Sequence, residues 1–340
     1  MNSKMLDEAL ASADVVRRQL DVLEPRLMEV AERLRRSDPR VVLTVARGSS
    51  DHAASYFAYL TMQHAGVPVA SLPMSVVTLH DSPMQVKGQP ALAFSQSGQS
   101  PDLVGSLQKL RERGALSIAL VNAQDSPLEQ ACEYTLPLSA GAELSVAATK
   151  SFIATLSASA RLVAHWQRDA QLLQAGATLP DQLDKAARQD WSVAIEALRD
   201  CQQLMVIGRG TGFAIAQEAA LKFKETSAIQ AEAFSSAEVR HGPMALVDDH
   251  YPMLIFATRG AEQASLLTLA ADMRQRGARV LLAAPDDVAE RDLTLTVAEH
   301  PALDPILAIQ SFYVMAASLA QARGMDPDQP RHLSKVTRTH

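Results

Sequence analysis

The sequence predicts an α/β protein made of two tandem three-layer αβα sandwiches, each built on a parallel, doubly wound sheet. Two observations lead to this fold class. The first is an internal duplication, because segments of the first half recur in the second half at a nearly constant separation. The second is an alternation, in both halves, of short apolar runs typical of buried strands with longer stretches typical of helices.

Three pairs of segments carry the duplication. Two pairs share an offset of 162 residues, which places Arg47 opposite Arg209, and the third pair is one residue further apart. The pairs are Val45–Ser50 with Ile207–Gly212, Leu92–Gly98 with Leu254–Gly260, and Arg111–Ala115 with Arg274–Ala278. Three matches in the same order indicate a repeated domain.

The elements follow in order along the chain. Residues 1–40 are predicted to be a helical lead-in, 41–178 a first domain, 190–325 a second domain and 326–340 a C-terminal tail, with Gln174–Asp190 as the boundary because it contains Gly176 and Pro180. First-domain strands are predicted at Val41–Ala46, Pro68–Leu72, Ala91–Ser95, Leu116–Val121 and Tyr134–Leu136, and helices near 50–65, 101–113 and 149–172. Second-domain strands are predicted at Leu204–Ile207, Met253–Ala257 and Val280–Ala283, and helices near 212–229, 262–276 and 303–323.

The composition argues against several classes of function. The net charge is −6 without a long Lys/Arg block, so no nucleic-acid partner is expected. The charged N-terminus does not resemble a signal peptide, and no apolar run reaches the roughly 20 residues of a membrane span. Cys132 and Cys201 lack the spacing of a zinc site or a disulfide framework, which favours a cytoplasmic protein. Neither GxGxxG nor a P-loop occurs, so we expect no cofactor and no metal.

Two loops that follow predicted strands are rich in hydrogen-bond donors. Arg47–Asp51 joins a strand to a helix, and Ser95–Asp102 carries three serines, a glycine and a proline at a first helical position. Ligands of open parallel sheets bind beyond the carboxyl ends of the strands. The side chains predicted to hold a phosphate, together with N–H groups of helix N-termini, are Ser50, Ser95, Ser97 and Ser100. The alternative is that these serines only cap helices and turns.

A row of ionisable residues in the second half suggests acid–base chemistry. Glu218, Lys222 and Glu225 are spaced i, i+4, i+7, so they share one face of a predicted helix that is otherwise apolar. The alternative is an exposed stripe of salt bridges. His241 precedes Gly-Pro, where a helix must stop, and it is either a capping or surface histidine or a group that titrates near neutrality in catalysis. Glutamate, lysine and histidine together are the components of an acid–base set.

These motifs resemble those of the sugar isomerase (SIS) family. Within it the chain is similar to the isomerase half of the glutamine–fructose-6-phosphate aminotransferases and to the stand-alone glucosamine-6-phosphate deaminases of the second type. The resemblance covers nearly the whole chain. The motifs are Arg47–Ser50, Ser95–Ser100, Ala140–Lys150, Ala219–Glu225, Glu238–Pro243 and Pro330–Thr337.

The resemblance implies a role for each matching residue. The positions expected to bind a sugar phosphate are Gly48, Ser49, Ser50, Ser95, Gln96, Ser97, Ser100, Val146 and Ala147. Five positions are expected to act in catalysis. Glu225 is expected to transfer a proton, with Lys222 near the sugar oxygens and Glu218 as its acidic neighbour. His241 is expected to open the ring, and Lys335, in the C-terminal tail over the active site, to lie at the carbonyl end of the sugar. In this family the histidine comes from the partner subunit, so a homodimer is implied.

Two departures from the family pattern and one expected absence bear on function. Ser100 stands where the aminotransferases have threonine, and Gln99 replaces their glutamate. The second repeat has Thr258 and Arg259 where the first has Gln96 and Ser97, so only the first is expected to hold phosphate.

The aminotransferases also carry a glutaminase domain with an N-terminal catalytic cysteine, whereas only residues 1–40 precede the first repeat here. We therefore expect a deaminase that converts glucosamine 6-phosphate to fructose 6-phosphate and ammonia. The alternatives are a fructosamine-6-phosphate deglycase, a galactosamine-6-phosphate deaminase, or a non-catalytic regulator that binds a sugar phosphate.

Overall fold

The computed structural model describes residues 3–335, which form two compact units. The first unit consists of Asp14–Glu143, Lys150–Ala177 and two residues of the tail, Ser334 and Lys335. The second unit consists of residues 3–13, Leu144–Thr149 and Thr178–Leu333. Each unit therefore draws on parts of the chain that are distant in sequence.

Both units contain a five-stranded parallel sheet. The strands of the first sheet are β1 (Val42–Val45), β2 (Val69–Ser71), β3 (Pro90–Ser95), β4 (Leu116–Val121) and β5 (Tyr134–Pro137). The strands of the second are β6 (Gln203–Gly208), β7 (Gln230–Ser235), β8 (Pro252–Phe256), β9 (Arg279–Ala284) and β10 (Leu293–Thr294). The spatial orders are β2-β1-β3-β4-β5 and β10-β9-β8-β6-β7, which are the same topology. The prediction of two doubly wound parallel sheets is confirmed.

Twelve α-helices occur among residues 3–335. In chain order they are α1 (Lys4–Leu10), α2 (Ser12–Ser37), α3 (Ser49–Ala65), α4 (Met74–Thr78), α5 (Pro101–Glu112), α6 (Pro127–Ala131), α7 (Lys150–Gln167), α8 (Ala170–Ala186), α9 (Ser192–Leu198), α10 (Thr211–Ser227), α11 (Gln263–Gln275) and α12 (Asp304–Ala322). Short 3₁₀ turns cover Glu238–His241, Pro243–Leu246 and Pro301–Leu303.

Helices cover both faces of each sheet, which explains the uninterrupted apolar strands. In the first unit, Leu103 and Leu107 of α5 pack in one cluster with Ala93 of β3, while Phe57 of α3 lies 5.7 Å from the ring of Phe94. Adjacent strand residues point to opposite faces, so α3 and α5 lie on opposite sides of the sheet. The second unit repeats this pattern, with α11 in the cluster on one face and Phe312 of α12 against Phe256 on the other. Such three-layer burial requires strands that are apolar on both faces.

One helix in the described part of the chain has the length and apolar composition of a membrane span. It covers Pro301–Ala322, and 83% of its apolar window is buried within the protein. This is the burial pattern of a core helix, which α12 is: Phe312 and Tyr313 are fully buried in the second unit.

Two features of local structure differ from what the sequence pattern suggests. The stretch Gln174–Asp190, predicted as the domain boundary, is not a break in secondary structure, because α8 continues through Gly176 and Pro180. Its buried residues recur at helical spacing, and their packing outweighs the helix-breaking tendency of the proline. These residues are Leu172, Ala175, Leu179, Leu183 and Ala186. Strand β7 was not predicted, since it is an edge strand in which Gln230 and Glu232 are exposed and only Ala231 is buried.

Candidate functional site

The first unit has a crevice where its strand order reverses. Chain order runs outward in one direction from β1 to β2 and in the other from β3 to β5, so the loops after β1 and β3 flank the switch point. Both loops lead into helices, α3 and α5, whose N-termini have no side-chain cap hydrogen bond. In α5, Pro101 has no N–H and Leu103 N donates to Asp102 Oδ1 at 2.8 Å, so the start of α3 is the better placed of the two helix N-termini to face an anion. The crevice is the location predicted for the phosphate.

The backbone of these loops depends on two glycines. Gly48 caps α3 with φ 54° and ψ −134°, a conformation that side-chain-bearing residues rarely adopt. Gly98 has φ +63°, and a Cβ atom there would collide with the side chain of Ser126 and lie 3.0 Å from Val121 Cγ2. The serine loop (Ser95–Ser100) can therefore turn tightly only with glycine at position 98.

The serine hydroxyls shape this loop and keep their own protons free for another acceptor. Ser95 Oγ accepts a hydrogen bond from Gly98 N at 2.9 Å, and Ser97 Oγ accepts one from Gln99 N at 3.3 Å. Each hydroxyl is an acceptor in these bonds, so its O–H remains a donor. The turn-forming role and the anion-binding role predicted for these serines are thus compatible. Ser50 and Ser49 lie in the first turn of α3, and both are partly exposed.

An arginine beside the serine loop adds a positive charge that the motif analysis did not assign. Arg47 forms an ion pair with Asp102, at 3.0 Å from Nη2 to Oδ2, and its side chain is 57% exposed whereas that of Asp102 is 4% exposed. Asp102 lies in the first turn of α5. The pair joins the two loops of the crevice, and its guanidinium remains accessible to an anion.

In the second unit, the predicted row of ionisable residues is brought together on α10. Lys222 Nζ lies 3.2 Å from Glu218 Oε1 and 2.5 Å from Glu225 Oε2. Glu218 and Lys222 are 0% and 1% exposed, so this is not the exposed stripe of salt bridges that was the alternative. Glu225 is 17% exposed and is the member of the row that reaches solvent.

The packing of α10 on α12 fixes this row. Phe223 meets Phe312 edge to face with ring centroids 5.0 Å apart, and Tyr313 donates a hydrogen bond from its hydroxyl to Glu218 Oε1 at 3.0 Å. Tyr313 was not predicted from the sequence, because it is far from α10 along the chain. Burial would lower the pKa of Lys222, but the carboxylates of Glu218 and Glu225 outweigh it and raise that pKa above its usual value. Lys222 is therefore charged at physiological pH.

The other predicted residues of the second unit lie in two separate segments. His241 is exposed and ends the 3₁₀ turn Glu238–His241. Val146 donates its N–H to Asp328 O at 3.3 Å, and Ala147 is buried. The segment that holds these two residues is also bound by Glu8 of α1, which accepts hydrogen bonds from two successive N–H groups, those of Leu144 and Ser145.

Lys335 lies in the first unit, where it pairs with a residue that was not predicted. Its Nζ is 3.1 Å from Glu143 Oε2, and Glu143 is 0% exposed. A partial signal for Glu143 was present, since it belongs to the Ala140–Lys150 motif. No group of three or more His, Cys, Asp or Glu side chains within residues 3–335 is placed to hold a metal ion.

Comparisons with known proteins agree with this geometry. The SIS domain family matches residues 36–164 and 197–322. Glutamine–fructose-6-phosphate aminotransferase (isomerizing) of Thermus thermophilus is 33% identical over 317 residues, which cover 88% of this chain and 52% of that protein. The same enzyme of Aeropyrum pernix is 35% identical over 320 residues, covering 87% and 50%. The chain thus spans about half the length of these relatives.

Solved structures show the same fold over nearly the full length. A protein of Silicibacter pomeroyi DSS-3, provisionally described as a phosphosugar isomerase, superposes with a TM-score of 0.91 at 40% identity, covering 96% of this chain and 100% of that one. Glucosamine-6-phosphate deaminase of Thermotoga maritima shares the fold, with a TM-score of 0.80 at 22% identity and coverage of 99% and 100%. The chain belongs to the SIS family: it has two SIS domains in tandem and is a sugar-phosphate-isomerase-like protein related to the isomerase domain of glutamine–fructose-6-phosphate aminotransferase.

Proposed function

We propose that the protein is an amino-sugar phosphate deaminase that converts glucosamine 6-phosphate and water into fructose 6-phosphate and ammonia. The observation that carries this proposal is the row of Glu218, Lys222 and Glu225 on α10, of which only Glu225 reaches solvent. The names of the relatives support the choice of substrate, since the aminotransferases and the Thermotoga maritima deaminase are both named for hexose 6-phosphates.

The burial of this row is costly for stability, which favours a functional reason for it. Removing a carboxylate or an ammonium from water costs several kcal/mol per ion, and the attraction between partners often only compensates that cost. A buried carboxylate and a partly exposed one around a buried ammonium therefore contribute little to folding. Perturbed, desolvated groups of this kind are concentrated at catalytic sites. The row ends at Glu225, whose carboxylate is partly exposed. One of its oxygens contacts the ammonium of Lys222, so the other oxygen is the candidate for proton transfer.

The proposed reaction begins with the open-chain sugar after His241 has opened the ring. The Glu225 carboxylate removes the proton from C2 and returns it to C1. In the same conversion O1 takes up a proton and the amino nitrogen gives one up, exchanged through water, so that the aldehyde carbon becomes CH₂OH and C2 becomes an imine. Water then adds to C2 and ammonia leaves, which gives the ketone of fructose 6-phosphate. Because an imine at C2 hydrolyses in water, the proton transfer alone is sufficient to commit the substrate to ammonia release.

The lysines have different proposed roles in this scheme. Lys222 is enclosed between two carboxylates, so we assign it to holding Glu225 and to the electrostatic stabilisation of the enol-like intermediate through that contact. Lys335 is 24% exposed, and its ammonium would hydrogen-bond to the oxygen at C1 of the open-chain sugar. Both assignments extend the roles implied by the family resemblance.

The phosphate is proposed to bind at the serine loop of the first unit. The hydroxyls of Ser95 and Ser97, the exposed guanidinium of Arg47 and the positive end of the α3 dipole favour an anion there. These donors suit a phosphate dianion, which has three terminal oxygens to satisfy.

Whether His241 acts in its own chain or in a partner's is tested by mixing inactive Glu225→Gln and His241→Ala subunits. A site shared between two subunits would restore activity in the mixture.

The decisive experiment measures ammonia release from glucosamine 6-phosphate by the wild-type protein and by Glu225→Gln. We expect kcat to fall by about 10²–10⁴-fold with little change in KM, because general-base catalysis is lost while binding is retained. Glu196→Gln is the matched control, since Glu196 is an exposed glutamate on α9 of the same unit. Turnover by Glu225→Gln within a few-fold of wild type would remove the assignment.

A substrate panel separates this proposal from the alternatives that share its acid–base chemistry. Galactosamine 6-phosphate and fructosamine 6-phosphate are assayed beside glucosamine 6-phosphate at equal concentration. Faster ammonia or amine release from either would reassign the substrate and leave the roles of Glu225 and the serine loop in place. Binding of all three sugars without turnover would instead identify a sugar-phosphate sensor.

A further inference from the structure

The buried carboxylate of Glu143 is the least expected ionisable group in the first unit. It is fully enclosed, and it lies between the segment after β5 and the start of α7. It accepts hydrogen bonds from Ser151 N at 3.1 Å and from Ser151 Oγ at 2.6 Å, and its Oε2 is also 3.1 Å from Lys335 Nζ. A carboxylate this deeply buried is destabilising unless its charge and its lone pairs are satisfied.

The partners of Glu143 divide into two kinds. Ser151 belongs to the first turn of α7, where unpaired N–H groups and the helix dipole favour an anion. These contacts fix the position of the carboxylate but do not neutralise it. A full positive charge comes from Lys335, which is 192 residues from Glu143 in the sequence but lies beside it in space.

The Glu143–Lys335 ion pair restricts the motion of the lysine more than it affects helix α7. A lysine ammonium has three N–H donors, and one of them is directed at Glu143. Without this contact the long side chain of Lys335 would sample many rotamers, and fixing it in one of them on substrate binding would cost conformational entropy. An ammonium that is already anchored keeps its remaining donors for a sugar oxygen and is pre-organised for it.

We propose that Glu143 is a positioning residue that holds the Lys335 ammonium in place for the reaction. The carboxylate does not touch the substrate in this scheme, and it acts only through the lysine. The inference rests on the proposed function in one respect, which is the assignment of Lys335 to the carbonyl end of the sugar. The ion pair itself does not depend on that assignment.

The kinetic test is a double-mutant cycle of Glu143→Gln and Lys335→Met. Glutamine keeps the shape of the side chain and an acceptor for Ser151 but loses the charge that holds the ammonium. We expect kcat for glucosamine 6-phosphate to fall roughly 10- to 100-fold in Glu143→Gln, which is the effect of losing a charge-assisted hydrogen bond. In the Lys335→Met background the same substitution is expected to have almost no further effect, because its action through the lysine is already gone. Glu112→Gln, an exposed glutamate at the end of α5, is the control.

A second measurement needs no turnover and remains available if the substrate is wrong. Limited trypsin digestion of the full chain cleaves after lysine, and pairing with Glu143 withholds the Lys335 ammonium from the protease. Trypsin also cleaves after Arg338, so we expect peptides that begin at Val336 to be released faster from Glu143→Gln than from wild type or Glu112→Gln, as measured by mass spectrometry. Retained near-wild-type far-UV circular dichroism shows that the difference is local.

The two measurements separate failure of this inference from failure of the proposed function. Equal losses from Glu143→Gln in the presence and absence of Lys335, or unchanged cleavage after Lys335, would overturn the positioning role. Faster cleavage together with no ammonia release by the wild-type protein would retain the ion pair and reject the deaminase.

Discussion

The two switch-point crevices share a backbone but differ in the side chains that fill them. Gly48 and Gly210, related by the offset of 162, have nearly identical conformations, with φ 54°, ψ −134° and φ 57°, ψ −136°. The helices that follow, α3 and α10, both lack a side-chain cap. The same offset places Ser100, the N-cap of α5, opposite Glu262, the N-cap of α11. The duplication therefore preserved the same turn geometry at the start of these two helices.

In the second unit a carboxylate of the protein occupies that geometry. A Cβ atom on Gly210 would collide with Glu262 Oε1, and one on Gly260 would lie 3.0 Å from Glu262 Oε2. The carboxylate thus lies against the turn that starts α10, at the positive end of the helix dipole. Arg259, opposite Ser97 in the alignment, is directed to Asp304, with both nitrogen–oxygen distances 2.8 Å. A built-in anion explains in physical terms why the second repeat is not expected to hold phosphate.

The largest effect expected from this comparison comes from transferring the acid to the first crevice. Ser100→Glu places a carboxylate at the N-cap of α5, where the phosphate is proposed to bind. Two like charges about 4 Å apart repel by several kcal/mol near a protein surface, so KM for the sugar phosphate is expected to rise at least about 100-fold. Steady-state kinetics of ammonia release measure it.

The control for this substitution is Ser100→Thr, which keeps the hydroxyl and is expected to leave KM within a few-fold of wild type. Loss of a helix cap does not confound the comparison, because Ser100 makes no side-chain cap hydrogen bond. An unchanged KM in Ser100→Glu would show that the phosphate does not bind at the start of α5.

The reciprocal substitution is expected to have a smaller effect. Glu262→Ser removes the internal anion from the second crevice, so that inorganic phosphate can approach the positive end of the α10 dipole. In a Ser100→Glu background, where the first crevice is blocked, we expect phosphate to raise the midpoint of thermal unfolding. Binding at tenfold excess over Kd stabilises a protein by about 1.4 kcal/mol, which is measurable as a shift in Tm.

Glu290→Ser, at an exposed loop position of the same unit, is the control for the loss of one negative charge. A phosphate-dependent shift no larger than that of the control would mean that Glu262 is not what keeps phosphate out of the second unit.

The same comparison shows what the sequence could and could not predict. The buried strands and the shared face of Glu218, Lys222 and Glu225 follow from local spacing, so they were predictable. The contacts of Glu262 with Gly210 and of Glu143 with Lys335 join positions that are distant in the chain, and no local pattern encodes them. Helix α8 shows the limit in the other direction, because Gly176 and Pro180 give a strong local signal for a break that tertiary packing overrides.

Asp51 offers the smallest and most specific test of the difference between the crevices. It lies in the first turn of α3, and the second repeat has Phe213 at the corresponding position, so the charge is specific to the first unit at this position. Burial raises the pKa of the Asp51 carboxyl above its usual value of 3.8, although His52, Ser71 and Arg47 act in the opposite direction. A raised pKa in the folded state means that the charged form is disfavoured by folding.

Asp51→Asn is therefore expected to stabilise the protein at neutral pH, where the wild type must bury a charge. Below the unfolded-state pKa both side chains are neutral, so the gain should be absent in acid and should grow as pH rises from about 3.8 through the higher folded-state pKa. Urea unfolding of both proteins between pH 3.5 and pH 8, with Asp286→Asn as an exposed control, measures this dependence. Removal of the negative charge should also lower KM for the sugar phosphate by a few-fold. A stability difference independent of pH would show that hydrogen bonding of Asp51, rather than its charge, is what the substitution changes.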